Sequence, residues 1–238
     1  MRNFFRVAWP VVKDFFRVAW LVVRKDMMVE ARSLEVLSTT LFFALTVVLV
    51  FAFSLVREGR PVDDVAAAIL WIATAFSGTL ALGRTFERER QADTVRALLL
   101  APADRPAIYA GKLLGMLMLM GLVELVLVPL VGLLFQAPIF NYPWTLIALL
   151  AAGTTGFAAV GTLFAAMLVR ARSRDVMLPI LLYPITVPVM IAGVRGTAAI
   201  FQATPDEPMA RLWVALLVCF DVVFVTLALW TFEPVMTE

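Results

Sequence analysis

The sequence predicts an all-α integral membrane protein with six transmembrane helices and an amphipathic helix at the N-terminus. Of the 238 residues, 62% are hydrophobic and only 16% are charged, whereas soluble domains are nearer half apolar and a quarter charged. The apolar residues fall in six blocks, each long enough for a helix of about 20 residues to cross a bilayer. Because unpaired backbone groups are too costly in lipid and no period-two barrel pattern appears, each block is predicted to be helical.

The first 35 residues form a separate amphipathic segment that contains the hexapeptide FFRVAW twice, eleven residues apart. An eleven-residue repeat keeps to one face of a helix. Four cations lie within about 20° of one line on that helix, and two tryptophans border the line: Arg6, Lys13, Arg17 and Arg24, with Trp9 and Trp20. This pattern is typical of a helix lying in the lipid headgroup layer. Pro10 is predicted to interrupt the first copy, so the more secure helix runs from about Pro10 to Asp26.

Two roles are open for this segment: an anchor lying on the lipid, or a helix that contacts a partner protein. A secretory signal is disfavoured because the charges at Lys13, Asp14 and Arg17 leave no apolar core of sufficient length. A mitochondrial transit peptide would normally contain more serine and fewer bulky residues.

The remainder, residues 36–238, is predicted to be one permease domain. Its spans are expected at about 36–56, 65–83, 113–135, 144–169, 176–194 and 212–232. The fourth span is rich in Gly, Ala and Thr, which let helices approach closely. The fifth contains Pro179, Pro184 and Pro188 and is predicted to be kinked or broken.

The distribution of basic residues predicts the orientation in the membrane. Sixteen of the 20 Lys and Arg residues lie in the N-terminal segment, the second–third loop and the fourth–fifth loop. The positive-inside rule makes this side cytoplasmic, so both termini are expected in the cytoplasm.

The second–third loop, residues 84–106, changes character halfway. Its first half is charged, with Arg84, Glu87, Arg88, Glu89, Arg90 and Asp93. Its second half contains Leu98, Leu99 and Leu100, bounded by Pro102 and Pro106. Three consecutive leucines are unfavourable in a loop that merely faces water. A short helix with an apolar tip would suit insertion into a groove of another protein; the alternative is a solvated basic loop.

Two acidic residues are predicted inside the membrane, Glu124 in the third span and Asp221 in the sixth. An ionised carboxylate there costs about 3 kcal/mol or more, so each needs a partner, a proton or a water-filled cavity. One hypothesis is a translocation path or proton relay lined by Glu124, Asp221 and Tyr183. The other, which we favour because two isolated acids form no chain, is hydrogen bonding between helices.

Several chemistries are excluded by the residues themselves. The chain has no histidine and one cysteine, Cys219, so imidazole catalysis, histidine ligation of haem iron and an intrachain disulfide are excluded. The Gly111-Lys112 pair lacks the glycine pattern of a phosphate-binding loop. We therefore predict no catalytic, cofactor or metal site and no nucleic-acid partner.

The chain resembles a known family in four segments: "GRTFERERQADTVRALLLAPADRPAIYAGK", "VELVLVPL", "RARSRDVMLPILLYP" and "FDVVF". These look like the corresponding parts of the CcmB family, the haem exporter B subunit of cytochrome c maturation. The resemblance extends from about Trp20 to the end, and the first FFRVAW copy looks like an extension.

The resemblance implies an ABC-2-like, six-helix permease in the bacterial inner membrane. It also implies a CcmA-like ATPase partner that carries the ATP, CcmC/CcmD-like haem-handling subunits, a periplasmic haem chaperone and a homodimer. Residues 84–106 would be the coupling loop against the ATPase, and haem would be the cargo or would leave on the chaperone. The alternatives are an exporter permease for a lipid, polysaccharide or drug, and a membrane scaffold without an ATPase.

Overall fold

The computed structural model describes residues 2–57, 60–61, 65–86, 105–169, 171 and 173–237. Within these ranges the chain forms seven helices and one short hairpin. The helices are α1 (Arg2–Ser33), α2 (Glu35–Leu55), α3 (Val65–Arg84), α4 (Arg105–Phe135), α5 (Pro143–Met167), α6 (Arg174–Phe201) and α7 (Glu207–Thr237). The hairpin pairs β1 (Val56–Arg57) with β2 (Arg60–Pro61) in antiparallel fashion between α2 and α3.

Helices α2 to α7 are each long and apolar enough to cross a bilayer, which confirms the all-α, six-span prediction. Three of them exceed the predicted spans: α4 starts at Arg105, α6 continues to Phe201 and α7 starts at Glu207. Hydropathy detects the part of a helix that lies in hydrocarbon, whereas backbone hydrogen bonding continues past it into the headgroup layer.

Prolines do not divide the helices in which they lie. Helix α6 is continuous through all three of its prolines, so of the two predicted alternatives the broken span is wrong and the kinked span stays a prediction. Pro184 and Pro188 are exposed, while Leu182 and Val189 are buried against the bundle. A proline removes one backbone hydrogen bond, and packing of the opposite face holds the remaining turns together. The expected interruption at Pro10 is also absent, because α1 runs through it.

Helix α5 forms the centre of the bundle and α7 its periphery. In the most apolar 18-residue window, 78% of α5 is buried, compared with 11% of α7. The small residues of α5 account for this position: the ring of Trp71 on α3 lies against Gly153 of α5 and Gly193 of α6, where a Cβ would approach it to less than 3 Å. The Trp71 Nε1–H donates to Thr197 Oγ1 on α6 at 2.9 Å. The predicted close packing of the fourth span is therefore present.

Helix α1 lies along α4 and turns sharply into α2. The turn is the single residue Leu34, whose φ of 51° lies in the left-handed region. Leu34 N–H still donates to Glu30 O at 2.7 Å, so the last turn of α1 closes before the chain changes direction. This turn brings α1 against the ends of the membrane-spanning helices.

Candidate functional site

One end of the bundle holds three of the four charged residues that are buried in the described part of the chain, namely Glu30, Lys112 and Arg174. Three contacts define it, each joining the end of α3 to the start of another helix: Arg84 with Glu35 of α2, Thr85 with Lys112 of α4, and Leu82 with Arg174 of α6. We call this the basic end. At the opposite end, Thr145 of α5 contacts Glu207 of α7. Helices α2, α4 and α6 thus begin at the basic end, whereas α5 and α7 begin at the opposite end. Successive helices therefore cross the bundle in alternating directions, as six successive spans require.

Lys112 is the centre of the basic end. Its side chain is only 3% exposed. The ammonium donates to the backbone carbonyl of Thr85 at 3.1 Å and forms an ion pair with Asp26 Oδ2 at 2.9 Å. It also lies 5.1 Å from the centre of the Phe86 ring, a cation–π distance. A buried cation needs such compensation, and here the compensation comes from both α1 and the end of α3.

Arg174 makes the second buried contact at this end. The residue is 1% exposed, and its Nη2–H donates to the carbonyl of Leu82 at 3.1 Å. The last carbonyls of a helix lack intrahelical donors and carry partial negative charge. Arg174 and Lys112 therefore cap the C-terminal end of α3, at the point where the predicted coupling loop begins.

At the N-terminal end of α2, an acidic residue of α1 lies where the cations lie at the C-terminal end of α3. The carboxylate of Glu30, a buried residue of α1, accepts a hydrogen bond from the Leu37 backbone N–H at 2.8 Å. An acidic group at a helix N-terminus and cations at a helix C-terminus are the stabilising arrangement in both cases. Helix α1 thus contributes Glu30 to α2 and Asp26 to Lys112.

The two faces of α1 have different surroundings: one packs against α4 and the other is exposed. Ala19 and Val23 are buried, and Gly111 of α4 lies so close to Val22 and the Ala19 carbonyl that a Cβ there would approach them to 2.7 and 2.8 Å. The predicted basic stripe faces outward: Lys13, Arg17 and Arg24 are exposed, and Trp20 is 63% exposed. Arg6 and Trp9 lie on the first turns of the same helix. Packing on α4 holds α1 against the bundle of this chain, and its exposed basic face leaves both predicted roles open, a lipid anchor or a helix that contacts a partner protein.

Most of the predicted coupling loop lies outside the described residues: Glu87, Arg88, Glu89, Arg90, Asp93, Leu98, Leu99 and Leu100. Arg84, its first residue, ends α3 and is exposed, with its Nη1 at 3.8 Å from Glu35 Oε1. Exposed ion pairs of this length contribute little to stability. The buried contacts of Lys112 and Arg174, rather than Arg84, fix the start of the loop.

The three intramembrane polar residues make separate contacts. Glu124 is buried on α4 and accepts a hydrogen bond from Thr154 of α5. The Tyr183 hydroxyl of α6 lies 3.2 Å from Thr79 Oγ1 of α3. Asp221 of α7 lies against Gly156 of α5, and its Oδ1 has no hydrogen-bond partner in the described part of the chain.

Helical geometry keeps the two acids apart. Thr154 and Gly156 are two residues apart on α5, which places them on nearly opposite sides of that helix. Glu124 and Asp221 therefore lie on different sides of α5. The Glu124–Thr154 bond is of the interhelical type that we favour from the sequence, and the relay remains a hypothesis.

Sequence reasoning missed the roles of Asp26, Glu30, Lys112 and Arg174. In the sequence, Arg174 contributes only to the bias of basic residues that predicts the orientation, and Lys112 contributes to that bias and to the Gly111-Lys112 pair. A signal was present for Lys112, because it directly precedes an apolar run, where a lysine must find a partner. Among the described residues, no group of His, Cys, Asp and Glu could hold a metal ion.

Comparison with known proteins identifies the family. The sequence pattern of the CcmB protein family matches residues 17–236. The chain belongs to the CcmB family. The match begins within the second FFRVAW copy and contains all six spans together with Asp26, Glu30, Lys112 and Arg174.

Curated relatives within the family agree with this assignment. The "Heme exporter protein B" of Paracoccus denitrificans is 29% identical over 188 residues, covering 79% of this chain and 85% of the relative. The protein of the same name from Shigella flexneri is 31% identical over 195 residues, covering 82% of this chain and 88% of the relative. The Rhodobacter capsulatus protein is 28% identical over 179 residues, covering 74% and 82%.

Proposed function

We propose that this chain is the membrane permease subunit of an ABC transporter for cytochrome c maturation. The observation that carries the proposal is the CcmB family match over residues 17–236, combined with six helices that can cross a membrane. Relatives named for haem export support haem as the cargo. The role requires no catalytic group on this chain, because ATP hydrolysis would belong to a partner subunit.

The proposed orientation places the basic end in the cytoplasm of a bacterium, with both termini on that side of the inner membrane. The support is the bias of Lys and Arg toward this end. A cytoplasmic ATPase would then meet the loop between α3 and α4 and the exposed face of α1. Haem-handling subunits of CcmC and CcmD type, a periplasmic haem chaperone and a second copy of the chain would complete the assembly.

The geometry of the basic end suggests how motion would be transmitted. The loop of residues 84–106 leaves α3 at the two carbonyls that Lys112 and Arg174 bind. A force that the ATPase applies to the loop would therefore act on α3, α4 and α6 together, and on α1 through Asp26. This movement would drive haem export, or release of the haem-loaded chaperone.

The function is tested by covalently bound haem in membranes of a strain that lacks the gene, with and without the gene restored. Haem-stained gels should lose every c-type band while absorbance spectra of the membranes still show b-type haem, and restoration should return the bands. Unchanged c-type bands would contradict the haem assignment and favour a permease for another cargo.

The ATPase partner is tested by Leu98→Asp in the predicted coupling loop. A charge in the apolar tip should reduce co-purification of the ATPase about tenfold or more, because it must be desolvated in the partner's groove. The matched control is Gln136→Asp, an exposed position beyond the far end of α4, which should leave co-purification unchanged. Equal ATPase recovery in both variants would favour a scaffold without an ATPase.

A further inference from the structure

A cavity of about 300 Å³ opens between α1, α3 and α4 at the basic end. This is the lower limit of the volumes typical of ligand sites, enough for part of an elongated ligand. Its walls include Lys25 and Met27 of α1, Arg84 of α3, and Gly115 and Met116 of α4. The lining also includes Thr85 and Lys112, which form one of the contacts that cap α3.

The lining is polar at one end and apolar at the other. On α4, Lys112 lines the outer part of the cavity, and Met116 and Leu119 line the part farther into the membrane. Seven residues of helix separate Lys112 from Leu119, about 10 Å along the helix axis. On α3, Arg84 is at the outer end and Ala81 is one turn deeper. Both helices cross the membrane, so this polarity gradient follows the direction in which a lipid molecule is oriented.

The charges at the polar end favour an anion. Lys25, Arg84 and Lys112 line the cavity together with two carboxylates, Asp26 and Glu30. Asp26 forms the ion pair with buried Lys112, and the Glu30 carboxylate accepts the α2 N–H. Lys25 and Arg84 are the more exposed cations, at 51% and 57%. Lys25 Nζ also pairs with Asp26 Oδ1 at 3.0 Å, so that Asp26 is shared by two lysines and the lining holds three cations against two carboxylates. Glu35 offsets Arg84 only across the long 3.8 Å contact.

We propose that this cavity binds an anionic phospholipid of the leaflet at the basic end. The phosphate lies toward Lys25 and Arg84, and part of one acyl chain lies against Met27, Met116 and Leu119. The lipid then fills the gap between α1 and the bundle. It acts as a structural ligand that supports the position of α1 beside the start of the coupling loop. The proposal concerns lipid binding alone and stands apart from the cargo and from the ATPase.

Gly115 provides a test by steric exclusion. A Cβ at Gly115 meets only Met27 Cε at 4.0 Å, so a larger side chain has room to enter the cavity. Gly115→Leu should therefore fill the site while α1 stays in place. The matched control is Gly121→Leu on the same helix, where nothing lies within 4 Å and where the side chain would meet bulk lipid.

A second, independent test removes the charges. Lys25→Gln with Arg84→Gln should weaken phosphatidylglycerol binding about 30-fold, from the usual contribution of each basic residue near an anionic lipid. Arg17→Gln with Arg24→Gln changes the net charge equally on the exposed stripe of α1, outside the cavity lining. This control should retain full binding.

The measurement is native mass spectrometry of the purified full-length protein with added phosphatidylglycerol, and in a separate arm with inorganic phosphate. We expect a one-lipid adduct that survives in the wild type and in both controls. The adduct should fall about tenfold or more in Gly115→Leu, and inorganic phosphate should not compete with it. An adduct that is equal in Gly115→Leu and Gly121→Leu, or lost equally in both double-glutamine variants, would overturn the proposal. Displacement by inorganic phosphate would also overturn it, since a bare anion would then suffice.

Discussion

The two ends of the helix bundle use charge in different ways. At the basic end, the charged contacts of Lys112 and Arg174 are buried and join residues far apart in the sequence. At the opposite end, Arg211 is 71% exposed and pairs with Glu207 one turn away on the same helix, at 2.8 Å. Exposed pairs of the second kind contribute at most about 1 kcal/mol, whereas breaking a buried pair costs about 3–5 kcal/mol.

The difference indicates which helices move together. At the basic end, α1, α3, α4 and α6 are joined by contacts that are costly to break. Among the described residues at the opposite end, the only contact between α5 and α7 involving charge is the 3.3 Å hydrogen bond from Thr145 Oγ1 to Glu207. We therefore expect the basic end to respond as a unit and the opposite end to separate more easily.

The largest expected effect is that of Asp26→Asn. The substitution keeps the shape of the side chain but removes the carboxylate charge that pairs with Lys112 and Lys25, and should lower the free energy of unfolding by about 3 kcal/mol. Asp14→Asn, at an exposed site on the same helix, should change it by less than about 0.5 kcal/mol. Denaturant titration in detergent measures both.

A second substitution sharpens this prediction. The double variant Asp26→Asn with Lys112→Met should be more stable than Asp26→Asn alone, because a buried ammonium no longer lies beside a neutral amide. If Asp26→Asn proved as stable as Asp14→Asn, the buried ion pair would not distinguish the two ends.

An intermediate effect is expected for Gly111→Val. The new Cβ would lie 2.7 Å from Val22 Cβ and 2.8 Å from the Ala19 carbonyl, so α1 must move away from α4, at a cost of about 1–3 kcal/mol. Hydrogen exchange over residues 13–33 should become faster than in wild type. Gly121→Val, with no atom within 4 Å, is the control, and unchanged exchange in Gly111→Val would show that α1 does not depend on this contact.

The smallest effect is expected for Arg211→Ala at the opposite end. Its pair with Glu207 is exposed and local, so the free energy of unfolding should fall by less than about 0.5 kcal/mol. The same denaturant titration measures the change. A loss approaching that of Asp26→Asn would remove the proposed contrast between the ends.

The features that could be predicted from the sequence are those that depend on the hydropathy and the periodicity of a single stretch of chain. The six spans follow from apolar stretches, and the exposed face of Lys13, Arg17 and Arg24 follows from helical periodicity. The continuity of α6 could not be read in this way, because it depends on how Leu182 and Val189 pack against other helices.

The partners of the buried charges required the fold. Lys112 looks like an ordinary loop cation until Asp26 and the Thr85 carbonyl are placed beside it. The role of Glu30 at the start of α2 also has no local signal in the sequence, because the backbone N–H that donates to its carboxylate belongs to the next helix. Long-range pairing of this kind has no periodic pattern in the sequence.

The most direct test of the central claim is a charge exchange between α1 and α4, with c-type haem as the signal. Asp26→Lys alone and Lys112→Asp alone place like charges together at the basic end, and each should abolish haem-stained c-type bands in the complemented deletion strain. The double exchange restores an ion pair and should return the bands, with equal amounts of the protein in the membrane confirmed by immunoblot. If the single variants retained full c-type haem at normal protein levels, the contact between α1 and the start of the coupling loop would have no part in transport.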